Sequence, residues 1–426
     1  MAVVVAGERI QDVVPVSDLE FDARHAEVIE ASGLFAVPGL IDTHVHLATE
    51  AHRAWAEARL RRFLYSGVTA VRDMAGDARM LADLARAART GEIPAPDIYY
   101  AALMAGPSFF VDPRAAAAAQ GAKPGEVPWM QAITSATDLP LAVATARGTS
   151  ATAIKIYANL PGTLVQKITA EAHRQRMPVW AHGAVYPATP QEVIEAGVDV
   201  VSHVCTLANH VTTPMRQSYG DRLPVDYAAA VSDVEGRMTA LFGMMRARGT
   251  ILDATAFLSE ERDRRARARA ESQPGGRSVP PRRDCTGEHA ARLIAKAYRE
   301  GVPISAGTDT FGSWQQRFPT LHDELETLAD RVGMSNSDVI RAATAIAARA
   351  LGQAHELGTI EPGKLANLVF VSKNPLEDVS NLRSVEFTVK RGVIYRRADY
   401  VPISEDELPA RRPGANSPAS SQGAGK

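Results

Sequence analysis

The chain has 426 residues, 46% of them hydrophobic, which suits one large core with an accessory unit and excludes global disorder. Lys and Arg total 47 against 49 Asp and Glu, a formal net charge of -2. That balance gives no electrostatic footprint for nucleic acid and no basic attraction to a membrane surface.

Residues 1–6 are apolar and run straight into Gly7-Glu8-Arg9, without a basic leader or cleavage pattern. They read as a strand rather than a secretory signal, and a cytoplasmic location is expected. No apolar run approaches the ~18 residues of a membrane span. Strand-like and helix-like runs then alternate from about residue 37 to residue 351, the pattern of a parallel sheet. Eight buried strands are predicted near 39–44, 68–73, 98–104, 153–157, 179–182, 198–203, 251–254 and 304–309. Amphipathic stretches at 51–65, 78–88, 164–176, 192–197 and 289–300 fall between them. Eight such repeats favour a closed α/β barrel of the (β/α)8 TIM type over an open sheet.

Two long connections interrupt the repeats. Residues 106–128 are rich in Gly, Pro and Ala, and residues 259–284 are charged and then rich in Pro and Gly. Both follow strands, so both are expected on the C-terminal face. The arginines of the second alternate with Glu260, Glu261, Asp263 and Glu271, which reads as a solvated helical lid rather than a nucleic-acid patch. Residues 356–375 and 385–396 are strand-like and, with the first 35 residues, predict a small β-sandwich. The expected layout is a sandwich from 1–35 and 357–400, a barrel over 36–356, and a disordered Pro/Ser/Gly/Ala tail over 401–426.

The chemistry concentrates at strand ends. In PGLIDTHVH, His44 and His46 lie two apart on one strand and therefore project to one side. Lys155 lies within the apolar run AIKI, where a buried cation needs a carboxylate partner or a modification. His182, His203 and Asp309 end the fifth, sixth and eighth predicted strands. Each position alone reads as structural; together they form a candidate ligand set. Cys205 and Cys285 are far apart in sequence and in no CxxC pair, so neither a disulfide nor a thiolate metal site is expected, and Cys205 reads as an inert pocket residue. His25, His52, His173, His289, His322 and His355 have no ligand-like setting, and Asp73 reads as a loop-building residue.

PGLIDTHVH, Lys155 in AIKI, His182 in VWAHG, His203 in GVDVVSH, Asp309 in SAGTDT and the closing GTIEPGKLANLVF occur in one order over nearly the whole chain. In these the sequence resembles the amidohydrolase superfamily, in its imidazolonepropionase- and prolidase-like branch. The resemblance implies two divalent metal ions. One would be held by His44, His46 and Asp309 and the other by His182 and His203, with a carboxylated Lys155 and a hydroxide bridging them. Nitrogen and oxygen donors without thiolate suit zinc, with manganese, cobalt or iron as alternatives. Asp309 would move the proton.

The implied reaction is amide (C–N) hydrolysis of a small molecule, such as an N-acyl amino acid or dipeptide with an apolar group. An ester or lactone substrate at the same site, and a non-catalytic assembly protein, are the alternatives. A homo-oligomer is an analogy with the family only. The turn after strand three lacks the histidine that many relatives carry there, so specificity is not inherited. Tyr157, Phe109, Phe110, Arg114 and His210 are the candidate substrate contacts. With Trp129, the two phenylalanines would either cover the mouth or pin the loop to the barrel.

Overall fold

Short runs of Ala, Val and Ile build the centre of the molecule, seen in a computed structural model that describes residues 1–19, 26–271 and 285–409. The hairpin β1 (Ala2–Ala6) and β2 (Arg9–Val14) comes first, followed by β3 (Phe35–Pro38). The parallel strands are β4 (Leu40–Val45), β5 (Val68–Asp73), β6 (Asp97–Ala105), β9 (Ala153–Ile156), β10 (Val179–His182), β11 (Val200–Ser202), β12 (Ile251–Asp253) and β13 (Ile304–Ser305). They pair in chain order, and helices cover them outside. Every residue of β4, β5 and β9 to β13 is buried, as befits strands covered on both faces. The ring draws together where Ala306 O accepts from Thr43 N at 3.1 Å and His44 O accepts from Asp309 N at 2.8 Å. The (β/α)8 expectation holds.

The period of two along each strand divides the barrel interior into a floor and a mouth. Ala153, Trp180, Val200 and Ile251 pack together as one buried apolar cluster with Met74, Ala101 and Ala350. Two residues further along the same strands stand Lys155, His182, Ser202 and Asp253, all buried. The plug beneath is therefore apolar, and the polar layer above it faces the C-terminal ends of the strands.

The connection after β6 is more ordered than its composition suggests. A 3-10 turn (Pro107–Val111) leads to the helix Pro113–Ala119, whose first turn is capped by Asp112 accepting from Arg114 N at 2.9 Å. A small hairpin, β7 (Glu126–Val127) and β8 (Met130–Ala132), follows, and β8 adds to β6 in parallel. The connection after β12 begins as the charged helix Ala256–Glu271, and the Glu324 carboxylate accepts from its first amides, Ala256 N at 2.9 Å and Phe257 N at 2.6 Å. The rest of that connection, residues 272–284, lies outside the described residues, as does His25.

β14 (Leu368–Val371), β15 (Val385–Lys390) and β16 (Val393–Arg396) form an antiparallel sheet with β3, and the β1–β2 hairpin packs on it around Ile10, Leu368 and Phe387. This is the small sandwich expected from both termini. Residues 401–409 depart from the expected disordered tail. Arg61, on the helix Arg53–Leu64, donates to Val401 O at 2.9 Å and pairs with Glu407 at 2.9 Å, which docks this segment; residues 410–426 lie outside the described residues.

A second correction concerns the cysteines. Cys205 and Cys285 form a disulfide across a sequence separation of 80. Cys205 lies in the short helix Val204–Leu207 after β11, and Cys285 just before the helix Gly287–Arg299; these two helices pack together. Such a pairing is set by the fold and cannot be read from spacing. It also weighs against the cytoplasmic expectation, because disulfides persist mainly outside reducing compartments. Among the described residues no helix is long and apolar enough to cross a membrane.

Barrel and sandwich are joined by a buried ion cluster. Asp97, at the start of β6, pairs with Lys390 at 3.1 Å and Arg391 at 3.0 Å. Removing one member of such a cluster leaves uncompensated buried charge, at a cost of about 3–5 kcal/mol. Asp97→Ala is therefore expected to lower the thermal midpoint clearly, and adding Lys390→Met to recover part of the loss. A midpoint equal to the wild type would show that the cluster does not hold the two units together.

Candidate metal centre

The strand ends bring three imidazoles around one carboxylate. His46 Nε2 lies 3.1 Å from Asp309 Oδ1, His44 Nε2 3.7 Å from the same oxygen, and His203 Nε2 3.7 Å from Oδ2. His182 stands beside them, its ring centroid 5.0 Å from that of His203. Lys155, only 1% exposed, donates to Ser202 Oγ at 3.1 Å. No carboxylate of the described residues pairs with it, which removes the simplest structural role for a buried lysine. Burial pushes its ammonium down to about 8.

Two of the candidate ligands, His44 and His203, are fixed from behind. The Asp253 carboxylate contacts His44 Nδ1 at 2.6 Å, which leaves Nε2 as the nitrogen turned toward Asp309. Thr255 Oγ1 does the same for His203 Nδ1 at 3.0 Å. Asp42 accepts from His44 N at 3.1 Å and from Thr308 Oγ1 at 2.8 Å, so the first and last strand ends are held in register. Gly307 permits this approach: a Cβ there would collide with Asp253 Oδ1 and lie 2.8 Å from His44 Cβ. His203 (φ 67°), Thr255 (φ 48°) and Asp309 (φ 47°) all occupy the left-handed region. Each non-glycine residue held there costs roughly 1–3 kcal/mol, and such strain clusters at functional sites.

The donor chemistry fits metal. His44, His203 and Asp309 each offer a ligand atom within 4.8 Å of the others. That tight triad takes one histidine from each half of the ligand set implied by the resemblance, with His46 against the same carboxylate and His182 and Lys155 alongside.

The remaining candidates separate. Tyr157 is half-buried over His182, with ring centroids 4.1 Å apart, and Phe109 packs on Tyr157 at 4.6 Å. Both line the mouth. Phe110 packs edge-on against Phe109, and Trp129 is buried with its Nε1 donating to Ala118 O at 3.2 Å; neither lines the cavities at the mouth. Arg114 lines the mouth but is paired with Asp112 at 2.7 Å, and it donates to Tyr219 OH at 3.0 Å. His210 does not reach the cavities, whereas its neighbour Asn209 does. Asp73 accepts from Leu47 N and from Gly76 N at 2.9 Å, the loop-building role expected of it. His52 caps the helix Arg53–Leu64, His173 pairs with Asp199 at 2.8 Å, and buried His322 contacts Ser66 O at 2.9 Å. Asp253 was missed by sequence reasoning. It ends the run Ile251-Leu252-Asp253, the same strand-end signal that marks Asp309.

The Amidohydrolase family model matches residues 35–395. The chain belongs to the amidohydrolase family. No curated protein matches it in sequence. Among solved structures it is similar to a Xaa-Pro dipeptidase with bound methionine in the active site, at 23% identity and a TM-score of 0.66, over 92% of this chain and 94% of that one. It is also similar to A. niger ochratoxinase, at 21% identity and a TM-score of 0.66, over 92% and 90%. Phenylurea hydrolase B matches at 18% identity and a TM-score of 0.66, over 94% of each chain. These likenesses are of fold. Family membership supports a metal-dependent hydrolase acting on C–N bonds.

The backing of His44 by Asp253 gives a direct test. Partners of this kind are typically worth ~10–100-fold in metal affinity. Asp253→Asn is expected to weaken metal binding by that order in competition with a chelator while the circular dichroism spectrum is retained. Wild-type affinity would show that His44 is oriented by something else.

Proposed function

We propose that this amidohydrolase cleaves the amide of an N-acyl amino acid or dipeptide at a binuclear centre, His44, His46 and Asp309 holding one ion and His182 and His203 the other. The observation that carries the reading is the convergence of three Nε2 atoms on the Asp309 carboxylate, beside a buried lysine without a carboxylate partner. Carboxylation of Lys155 by carbon dioxide needs a neutral amine, which burial favours, and it replaces an interior cation by an anion between the two halves. When bound, zinc or a similar divalent ion would acidify a water toward neutral pH and polarise the scissile carbonyl.

The chain's own groups supply the rest. Asp309 is the carboxylate placed to take the proton from the attacking water and return it to the leaving nitrogen. Burial works against its charge, but His44, His46 and His203 outweigh burial and hold its carboxyl well below the usual range. It is thus ionised at neutral pH. Tyr157, tilted against His182, offers a hydroxyl at the mouth to orient a substrate carbonyl.

Asp309→Asn keeps the shape and one oxygen but removes the basic group. In the metal-loaded enzyme, kcat on N-acyl amino acids and dipeptides is expected to fall at least roughly a hundredfold, the scale of a lost general base. Metal content measured on the same sample is expected to fall less. An unchanged kcat would assign the proton transfers elsewhere.

A further inference from the structure

The helix Arg53–Leu64 carries two buried arginines, Arg59 and Arg62, each 2% exposed. Their surroundings differ. Arg62 donates to Phe311 O at 3.1 Å, Ser313 O at 2.9 Å and Gln316 O at 3.1 Å, and so holds the connection after β13 in place. Arg59 has one hydrogen bond, from Nη2 to Leu47 O at 3.3 Å, and its Nε is buried without a partner. No carboxylate pairs with Arg59 among the described residues. Asp73 acts on it through space, but that carboxylate already accepts from the Leu47 and Gly76 amides.

Burial pushes the Arg59 guanidinium down to about 9, so it is still a cation at neutral pH. A charge taken out of water without a counter-ion is expensive to bury. Two aromatic rings compensate in part, the guanidinium lying 3.9 Å over Phe311 and 5.1 Å from Trp55. With Arg59, both rings belong to the wall of a cavity of about 470 Å3 that reaches His46 and Asp309. Arg72 is as short of partners, but it lies against Trp180 at the barrel floor and lines neither cavity at the mouth. Arg59 is the buried cation that faces open space beside the candidate metal centre.

We propose that Arg59 is an anion site inside the substrate cavity and holds a carboxylate of the substrate, with the apolar part of the same molecule against Met74, Leu103 and Phe109. The inference rests on the amidase reading for what is cleaved, and adds where the substrate's charge is held. A guanidinium binds a carboxylate by paired, charge-assisted hydrogen bonds, and the contact with Phe311 restrains this one before a ligand arrives. Arg222 and Arg262 at the mouth are positive too, but both are exposed, and water weakens a contact there far more than at Arg59.

The test uses 3-phenylpropionate and its neutral amide, 3-phenylpropionamide, titrated calorimetrically into metal-loaded protein. In the wild type the carboxylate is expected to bind at least about tenfold more tightly, the scale of a hydrogen bond to a charged group. Arg59→Met should abolish that preference, whereas Arg222→Met with Arg262→Met should leave it standing. Equal affinities in the wild type overturn the proposal. So does a preference that survives Arg59→Met, or one that is lost when Arg222 and Arg262 are replaced. A crystal of the wild-type complex answers without any substitution. Carboxylate oxygens within hydrogen-bond distance of the Arg59 guanidinium support the site, and carboxylate oxygens on the metal or at the exposed arginines refute it. Turnover of N-acyl amino acids and dipeptides is scored separately. Arg59-dependent binding without turnover would sink the amidase reading and leave the anion site standing; turnover with no preference for the carboxylate would do the reverse.

Discussion

The contact between His44 Nδ1 and the Asp253 carboxylate, 2.6 Å long and closed off from solvent, sets the orientation of the whole mouth. It leaves Nε2 of His44 toward Asp309. It also requires the end of β12 to reach the end of β4 across the closing strand β13. That approach is available because Gly307 carries no side chain and because Asp42 holds Thr308 on the neighbouring strand end. The ligands are therefore a consequence of barrel closure. The candidate ligands stand at the ends of β4, β9, β10, β11 and β13, and closure brings the first and last of these together.

The same closure explains how so polar a layer is tolerated in a buried interior. Beneath Lys155, His182, Ser202 and Asp253 lie Ala153, Trp180, Val200 and Ile251, one pleat down on the same strands. The apolar plug carries the burial that stabilises the barrel, and the residues above it can be chosen for chemistry. The cost appears as left-handed backbone at His203, Thr255 and Asp309, and as a lysine amine satisfied by a single hydroxyl. Strain and incomplete satisfaction gather at the layer that the metal reading needs.

Much of this was legible in the sequence because it depends on local pattern. Two-residue periodicity predicted that His44 and His46 share a side, and short apolar runs located all eight strands, Val68–Asp73 and Val179–His182 to the residue. What escaped depends on contacts between distant segments. Asp253 carried the right signal at the end of β12, but its role exists only once β12 meets β4. The Cys205–Cys285 bridge joins helices that the barrel brings together. Residues 126–132 were hidden as strands by their Gly and Pro surroundings, and pairing with β6 made them so. Phe110 and Trp129 were read as candidates for covering the mouth, because composition alone does not separate a ring that faces a cavity from one that packs beneath a loop.

The central claim is that the strand ends hold two ions bridged through Lys155, rather than one ion in the His44, His203 and Asp309 triad. Crystals of zinc-loaded protein, measured at the zinc absorption edge with bicarbonate present, decide between these directly. The account predicts two anomalous peaks, one among His44, His46 and Asp309 and one beside His182 and His203, with carbamate density on Lys155 between them. A single peak within the His44, His203 and Asp309 triad, with an unmodified Lys155 amine still on Ser202, would contradict it.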